Sequence, residues 1–505
     1  MVGTATTGLG KFRSFFFPIH WHELKKFLPM LGMFFLISFT YNSLRAYKDS
    51  MVVTAPQSGA EVIPFIKVWA IMPFAILLTI LFTRLLNRFS RERVFYIMMS
   101  VFMAFFAIFT FILLPLQEYL HPNETADLFQ SILPEGLKGL IAIFRNWTFT
   151  LFYVMSDLWS SAIMTVLFWG FANEVTSVDE AKRFYGPLMV GANLGGMLAG
   201  QMSVTFLTLD YMAWLPYGQT AWEQSILFLT VAILSSGFLT MAIFRWVNRK
   251  VIGPMDALSP PPEKIKMSMR KSFSYLMRSK YLICIAILVL AYNLTMNLVE
   301  IVWKDQIKQV YPNSSEYGAY MGEVMIWMEM LAIITSLFIT GNLIRRFSWT
   351  LGAFIPIVIM GIFGTAFFFS GTYSTTTAIT WGVSPMIVVL TVGTLHNCLT
   401  RASKYTFFDT TKEIAFIPLN SESKIKGKAA IDGVGSRLGK SASSFIHQGL
   451  LLFCTTISAA VPYVAAVFMV VLCIWAVAVV LLGKQFDELT GRRPAEKDRE
   501  PILIN

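Results

Sequence analysis

Long apolar segments recur along the whole chain, and this feature limits the fold more than any other. A helix of roughly 20 apolar residues crosses the hydrocarbon core of a bilayer, where no water satisfies the backbone N–H and C=O groups. The 505 residues are 55% apolar with a mean hydropathy of +0.60, which excludes a series of soluble domains. We therefore predict an all-α membrane protein with about twelve transmembrane helices. They are expected near residues 27–47, 62–84, 93–116, 146–172, 184–207, 223–246, 279–302, 318–343, 350–371, 379–401, 430–456 and 459–482.

The sequence carries no pattern typical of an enzyme or a metal centre. Its four cysteines and five histidines are dispersed, without the spacing of zinc ligands. Gly439-Lys440-Ser441 ends like a phosphate-binding loop, but the glycine that such a loop requires five places earlier is Val434. We therefore predict a protein that is not an enzyme and has no catalytic residue, metal or cofactor.

The basic residues predict the orientation of the chain. Lys and Arg are concentrated at the N-terminus, in alternate loops and in the tail, whereas the loop 117–138 is acidic. Because cytoplasmic loops are enriched in Lys and Arg, both termini are predicted to be cytoplasmic. Much of the net charge of +11 is then explained by the Lys and Arg residues of the cytoplasmic loops and termini, and no nucleic-acid partner is expected. The start shows neither a cleavable signal peptide nor a transit leader, so the first helix is expected to direct its own insertion.

A basic, proline-containing connection divides the chain. Residues 247–278 are predicted to be a cytosolic linker between a six-helix half at 1–246 and another at 279–483, with a cytosolic tail at 484–505. Residues 190–196 (VGANLGG) match 434–440 (VGSRLGK), and Tyr41-Asn42 matches Tyr292-Asn293. Such a parallel repeat predicts the major-facilitator architecture, with a site between the halves. Close packing of helices is the alternative role for these glycines.

Ionisable side chains within the predicted spans are candidates for function, because placing a charge in a bilayer costs at least a few kcal/mol. These residues are Arg45, Lys48, Lys67, Asp157, Glu300, Glu323, Glu329, Arg437 and Lys440. The cations Arg45, Lys48, Arg437 and Lys440 come from opposite halves and suit a substrate with several negative charges, such as a triphosphate. The alternative for Lys48 and Lys67 is that they lie near an interface and extend to water.

The acids and neutral polar groups have several open roles. Asp157 and Glu300 are expected to pair with the cations of the empty site, to keep those cations apart or to carry a coupled proton. Glu323 and Glu329 lie on different faces of their helix, and pairing within the bundle is their alternative. Candidates for contact with the base are Tyr41, Asn42, Asn293, Asn297 and Phe171, each of which packing between helices explains equally well.

Several long runs together resemble the nucleotide transporter family of obligate intracellular bacteria and plastids, whose best-known members are ATP:ADP antiporters. The runs include YNSLRAYKDS at 41–50, SGAEVIPFIKVW at 58–69, FWGFANEVTSVDEAKRFYG at 168–186, NLVEIVWKDQIK at 297–308 and KIKGKAAIDGVGSRLGKS at 424–441. The resemblance implies transport of ATP, ADP or other nucleoside triphosphates, with phosphate or a proton as a coupled species. It also implies functional roles for Lys48, Asp157, Glu300 and Lys440.

The resemblance implies a location for the protein, and the chain differs from the family pattern at two places. Without a transit leader, the chain is expected in the inner membrane of an obligate intracellular bacterium, where it acts as a monomer. The antiporters usually read LRDTKD at the first site, whereas this chain reads LRAYKD at 44–49, and Asp157 replaces their usual Glu. ATP/ADP exchange is the leading hypothesis, and the departures favour a proton-coupled triphosphate importer as the alternative. Another anionic cargo, such as a sugar phosphate or peptide, stays open, as does a membrane-embedded receptor or enzyme.

Overall fold

A computed structural model describes the backbone of residues 19–252, 279–338, 348–381, 384–419, 427, 431 and 436–491. Within these ranges the side chains of 178, 179, 182, 252, 336–338, 371–381, 405, 406, 436–438, 440 and 491 are not described. The predicted linker beyond residue 252 and the end of the tail lie outside the described residues. So do the side chains of Arg437 and Lys440, although both residues belong to a described helix.

The described part of the chain consists of helices and connections, with no strand in these ranges. The long helices are α1 (Leu24–Val53), α2 (Val62–Arg88), α3 (Arg91–Leu113), α4 (Trp147–Val175), α5 (Val178–Leu207), α6 (Ala221–Val247), α7 (Lys280–Val310), α8 (Ser314–Phe338), α9 (Trp349–Trp381), α10 (Pro385–Ser403), α11 (Ser436–Cys454) and α12 (Ile457–Gly491). Over the residues that the structure describes, nine helices are long and apolar enough to cross a membrane. The prediction of an all-helical fold is thereby confirmed for the described ranges, and these helices are of the length and composition that crossing a membrane requires.

Three of the labelled helices, α5, α10 and α11, are outside that group of nine. Polar or small residues interrupt their apolar sequence, as at Asn193 and Gln201 in α5 or His396 and Asn397 in α10. Twelve spans therefore stay a prediction.

Two of the helices run further than the hydropathy indicates. Helix α1 continues to Val53 and α7 continues to Val310, beyond the expected ends at 47 and 302. The charged residues that lowered the local hydropathy lie inside these helices. The acidic segment between α3 and α4 forms short helices, of which Asn123–Ile132 and Lys138–Arg145 are the longest.

The chain divides into two compact units. Unit 1 comprises Met1–Glu263 and Ile307–Ile333, and unit 2 comprises Lys264–Gln306 and Ile334–Asn505. The end of α7 and most of α8 therefore belong to the same unit as α1 to α6.

Within unit 1, α5 packs closely on α1 and on the first part of α8. A Cβ at Gly195 would lie 2.6 Å from the carbonyl oxygen of Phe35 in α1. A Cβ at Gly200 would lie 2.7 Å from the carbonyl oxygen of Gly322 in α8, which is shorter than any ordinary contact. Small residues thus let the backbones touch, as in GxxxG pairs, and this supports the packing role considered for the repeated glycines.

Within unit 2, α11 makes a similar close approach to α7. A Cβ at Gly439 would lie 3.1 Å from the carbonyl oxygen of Leu290 and 2.9 Å from Cβ of Asn293. Gly439 is the sequence match of Gly195, and Asn293 is the match of Asn42. Each unit therefore places the repeated glycine of one helix against the helix that carries the repeated Tyr-Asn pair.

Candidate functional site

The last third of α1 is polar although it is buried. Arg45, Lys48 and Asp49 are 8%, 5% and 1% exposed. No glycine or proline occurs between Gly32 and Pro56, so nothing in the local sequence ends the helix before these residues. Burial without snorkelling requires partners for the charges, and α4 provides one for Lys48.

Lys48 forms an ion pair with Asp157 of α4. The distance from Nζ to Oδ1 is 2.5 Å, and the side chains are 6% and 39% exposed. The same ammonium lies 4.4 Å from the centroid of the Tyr153 ring, one turn before Asp157, which adds a cation–π contact. Lys48 is therefore enclosed while the carboxylate of Asp157 stays partly open. The snorkelling alternative for Lys48 is wrong, because the side chain is directed into the bundle.

Helix α4 is held against α1 by side chains that lie next to Asp157. Trp159 is buried, and its Nε1 donates a hydrogen bond of 3.2 Å to the carbonyl oxygen of Ile37 in α1. Directly after it, Ser160–Phe168 winds as a π-helix. A π-segment shifts the register of the side chains that follow it and often occurs beside functional residues. The pair is thus fixed by α1 and α4 together.

In unit 2, Glu300 of α7 binds two cations. Its Oε1 accepts from Lys304 Nζ at 3.1 Å and from an Nη2 of Arg401 in α10 at 3.3 Å. The side chains of Glu300 and Lys304 are 12% and 4% exposed, and that of Arg401 is 23% exposed. Trp303 donates to Thr394 Oγ1 at 3.1 Å, which fixes α7 against α10 in this region.

Sequence reasoning identified Glu300 but not Lys304 and Arg401. Lys304 lies beyond residue 302, the expected end of helix seven, and Arg401 lies at the expected end of helix ten. The spacing of Glu300 and Lys304, four residues apart, was the available signal for a pair on one helix face. Nothing in the sequence alone could join Arg401 to Glu300.

The predicted base contacts are arranged along their own helices. The side-chain nitrogens of Asn42, Asn293 and Asn297 donate to carbonyl oxygens four residues earlier, at 3.1, 2.8 and 2.7 Å. Tyr41 is half-buried, whereas Phe171 is buried and packs edge-on against Phe244. These bonds and contacts meet the needs of helix packing, and contact with a base stays a prediction.

The other predicted charges differ in their surroundings. Lys67 is half-buried in the π-helical part of α2, Ile66–Ile71. Glu323 is exposed, whereas Glu329 lies 3.3 Å from the amide nitrogen of Asn193 in α5 when that amide is oriented toward it. Glu329 therefore fits the alternative in which its carboxylate pairs with a polar group inside the helix bundle. Throughout the described ranges, no three His, Cys, Asp or Glu side chains are close enough together to hold a metal ion.

Comparison with known sequences assigns the chain to a family. The profile of the TLC ATP/ADP transporter family matches residues 3–486. The chain belongs to this family. It is therefore a membrane transporter and not an enzyme, and the resemblance seen in the sequence runs is confirmed.

Relatives occur in bacteria and in plants. The chain is 44% identical to "ADP,ATP carrier protein 1" of Chlamydia muridarum (strain MoPn / Nigg), over 98% of this chain and 95% of the relative. It is 42% identical to the protein of the same name in Chlamydia pneumoniae, over 99% of each chain. It is 37% identical to "ADP,ATP carrier protein 1, chloroplastic" of Arabidopsis thaliana, over 94% of this chain and 76% of the relative.

Solved structures of other transporters share the fold. A bacterial homologue of the iron transporter ferroportin, in an inward-facing state, aligns with 92% of this chain and all of its own chain, at a TM-score of 0.56 and 14% identity. The D-xylose-proton symporter aligns with 91% of this chain and 97% of its own, at a TM-score of 0.51 and 14% identity. At such identities the likeness concerns the helical fold alone.

Proposed function

We propose that the protein exchanges ATP for ADP across a membrane by alternating access. Membership in the ATP/ADP transporter family supports this cargo, and the names of the relatives agree with it. The observation that carries the site is the buried ion pair of Lys48 and Asp157. A cation held deep in the fold beside a partly exposed acid is suited to receive an anion from the exposed side.

Phosphate binding at Lys48 follows from the different exposure of the two partners. An enclosed ammonium needs a negative charge at all times, because a buried charge without one is strongly unfavourable. Asp157 provides this charge in the empty protein. An entering phosphate competes with the carboxylate for Nζ, and Asp157 then moves away or takes up a proton. On this proposal Arg45, Arg437 and Lys440 add further positive charge for the polyphosphate.

The architecture proposed for this activity is twelve spans in two six-helix halves, with cytoplasmic termini and a monomeric carrier in a bacterial inner membrane. The matching approaches of Gly195 to α1 and of Gly439 to α7 support a structural repeat. The fold of the two solved transporters supports rocking of the halves about a site near mid-membrane.

Proton-coupled import of nucleoside triphosphates is the second candidate, since LRAYKD departs from the usual motif. Tyr47, however, is directed to α6, where its ring stacks on Trp222 at 5.6 Å between centroids and its hydroxyl faces Ser225 O at 3.5 Å. Tyr47, one of the two residues that differ from the usual motif, thus contacts α6, whereas Asp157 lies on α4. This placement favours exchange over a change of cargo.

The test is uptake of labelled ATP by liposomes that contain the purified protein. We expect Lys48→Gln to reduce uptake by about 100-fold, since truncating one partner of a buried charge pair costs 2–5 kcal/mol. Lys440→Ala is expected to reduce uptake as well, because the resemblance to the family implies a functional role for Lys440. Lys48→Arg keeps the charge and is expected to retain part of the activity. Lys26→Gln is the matched control, because Lys26 pairs with Glu180 at the start of α5, away from this pair. Near-normal uptake by Lys48→Gln would refute the site.

The coupling is tested with the same liposomes. Exchange predicts that uptake needs ADP or ATP inside and is insensitive to a protonophore. Uptake into empty liposomes that collapses with the protonophore would instead establish proton symport. In that case Asp157→Asn should abolish the proton dependence, because Asp157 is the partly exposed acid of the pair.

A further inference from the structure

One turn of α10 carries several buried polar atoms that have no hydrogen-bond partner within the described structure. They are both ring nitrogens of His396, Oδ1 of Asn397, Oγ1 of Thr400 and Nε of Arg401. His396, Asn397 and Thr400 are at most 1% exposed. Buried polar groups are normally paired, so a run of such atoms in six consecutive residues indicates a place that another polar species occupies.

Arg401 is the charged member of this turn. Its guanidinium has five N–H donors, and the bond from Nη2 to Glu300 engages one of them. Its Nε is buried and has no partner in the described structure, although the side chain as a whole is 23% exposed. The guanidinium is thus bound to Glu300 through Nη2, while part of the Arg401 side chain is exposed.

The packing of α7 on α10 brings the neutral groups beside this cation. Glu300 faces Arg401, and Trp303 faces Thr394, so the two helices run antiparallel here. Asn397 is one helical turn before Arg401 and lies on the same face of α10. The turn 397–401 is therefore next to the segment of α7 that carries Glu300 and Lys304.

We propose that Arg401 binds a phosphate group of the transported nucleotide, with Glu300 as the residue that positions it. The inference rests on the proposed function and extends it to residues of α10. A planar guanidinium presents two parallel N–H groups to two phosphoryl oxygens, which an ammonium cannot do. The hydroxyl of Thr400, whose Oγ1 has no partner in the described structure, is a neutral donor for the same group.

The test measures binding of ATP, ADP, AMP and pyrophosphate to the full-length protein in detergent. We expect Arg401→Gln to weaken ATP binding by about tenfold or more and to weaken AMP binding less, because loss of a phosphate contact is felt most by the polyphosphate. Arg401→Lys is expected to lie between the two. Arg91→Gln is the matched control, since Arg91 pairs with Glu174 in unit 1, remote in sequence from α10.

Two results would overturn the proposal. One is unchanged ATP affinity in Arg401→Gln, and the other is an equal loss for ATP and AMP, which would indicate a structural role. If Arg401→Gln does not fold, Arg401→Lys decides, because it keeps the charge and loses only the planar fork. If the wild type binds pyrophosphate but no nucleotide, and Arg401→Gln loses the pyrophosphate binding, the proposed function is refuted and the phosphate site is supported. Binding of neither would refute both.

Discussion

Units 1 and 2 each contain an acid that is ion-paired between two helices, but they balance the charge differently. In unit 1, Asp157 forms an ion pair with Lys48 and is itself 39% exposed. In unit 2, Glu300 has two cations, Lys304 and Arg401, and is 12% exposed. The first arrangement leaves the acid accessible, whereas the second encloses the acid and leaves one cation accessible. On our proposal, the acid is therefore the exchangeable partner in unit 1 and the fixed partner in unit 2.

The largest expected effect comes from removing the fixed acid. Glu300→Gln leaves Lys304 and Arg401 together without the carboxylate that joins them. We expect a loss of about 3–5 kcal/mol in stability, the range for breaking a buried pair on one side. Thermal unfolding in detergent measures it. A midpoint close to wild type would show that Glu300 does not fix the two cations.

Asp157→Asn should cost less in stability than Glu300→Gln. Asp157 is more exposed, and Tyr153 and solvent both compensate Lys48 when the carboxylate is lost. We expect about 1–3 kcal/mol, the penalty for a buried group left without its partner. The same unfolding assay ranks the two variants. The reverse order would contradict the assignment of fixed and exchangeable acids.

A smaller effect is expected from shape alone, at the contact of α5 with α8. Gly200→Ala introduces a Cβ that would be 2.7 Å from Gly322 O, so the helices must separate. We expect a loss of about 1–3 kcal/mol, as for overpacked cores. Gly170→Ala is the control, because nothing lies within 4 Å of its Cβ position. Equal midpoints for the two variants would show that α5 and α8 tolerate separation.

The smallest expected effect is a pH dependence in the connection between α3 and α4. Burial lowers the pKa of His121, whose Nε2 is 2.7 Å from Thr148 Oγ1, below its ordinary value of 6.5. The unfolded chain then binds a proton that the folded chain does not, so stability is full above pH 6.5 and declines below it. Unfolding midpoints measured from pH 7.5 to 5.5 should therefore fall less in His121→Gln than in wild type. An identical pH slope would exclude His121 as the cause.

The sequence predicts the helical class, the family and most of the charged positions, because long apolar runs and buried charges are local features. It misplaces the ends of α1 and α7, because the charged residues Lys48 and Lys304 lower the local hydropathy and so mark the predicted end of each apolar span. In the structure these residues are inside because acids on neighbouring turns or helices neutralise them. The pairing of Glu300 with Arg401 joins residues 101 apart, and a local pattern holds no information on such a contact.

The glycine contact between α5 and α8 has a consequence for the entropy of movement. Long side chains that interlock at an interface lose rotamer freedom when helices dock and regain it when they part. Gly200 and Gly322 have no rotamers, so docking of these backbones carries no such entropic term. The association at this point therefore depends on the shape of the main chain together with two branched side chains, Ile326 and Val204, that lie against the same glycines.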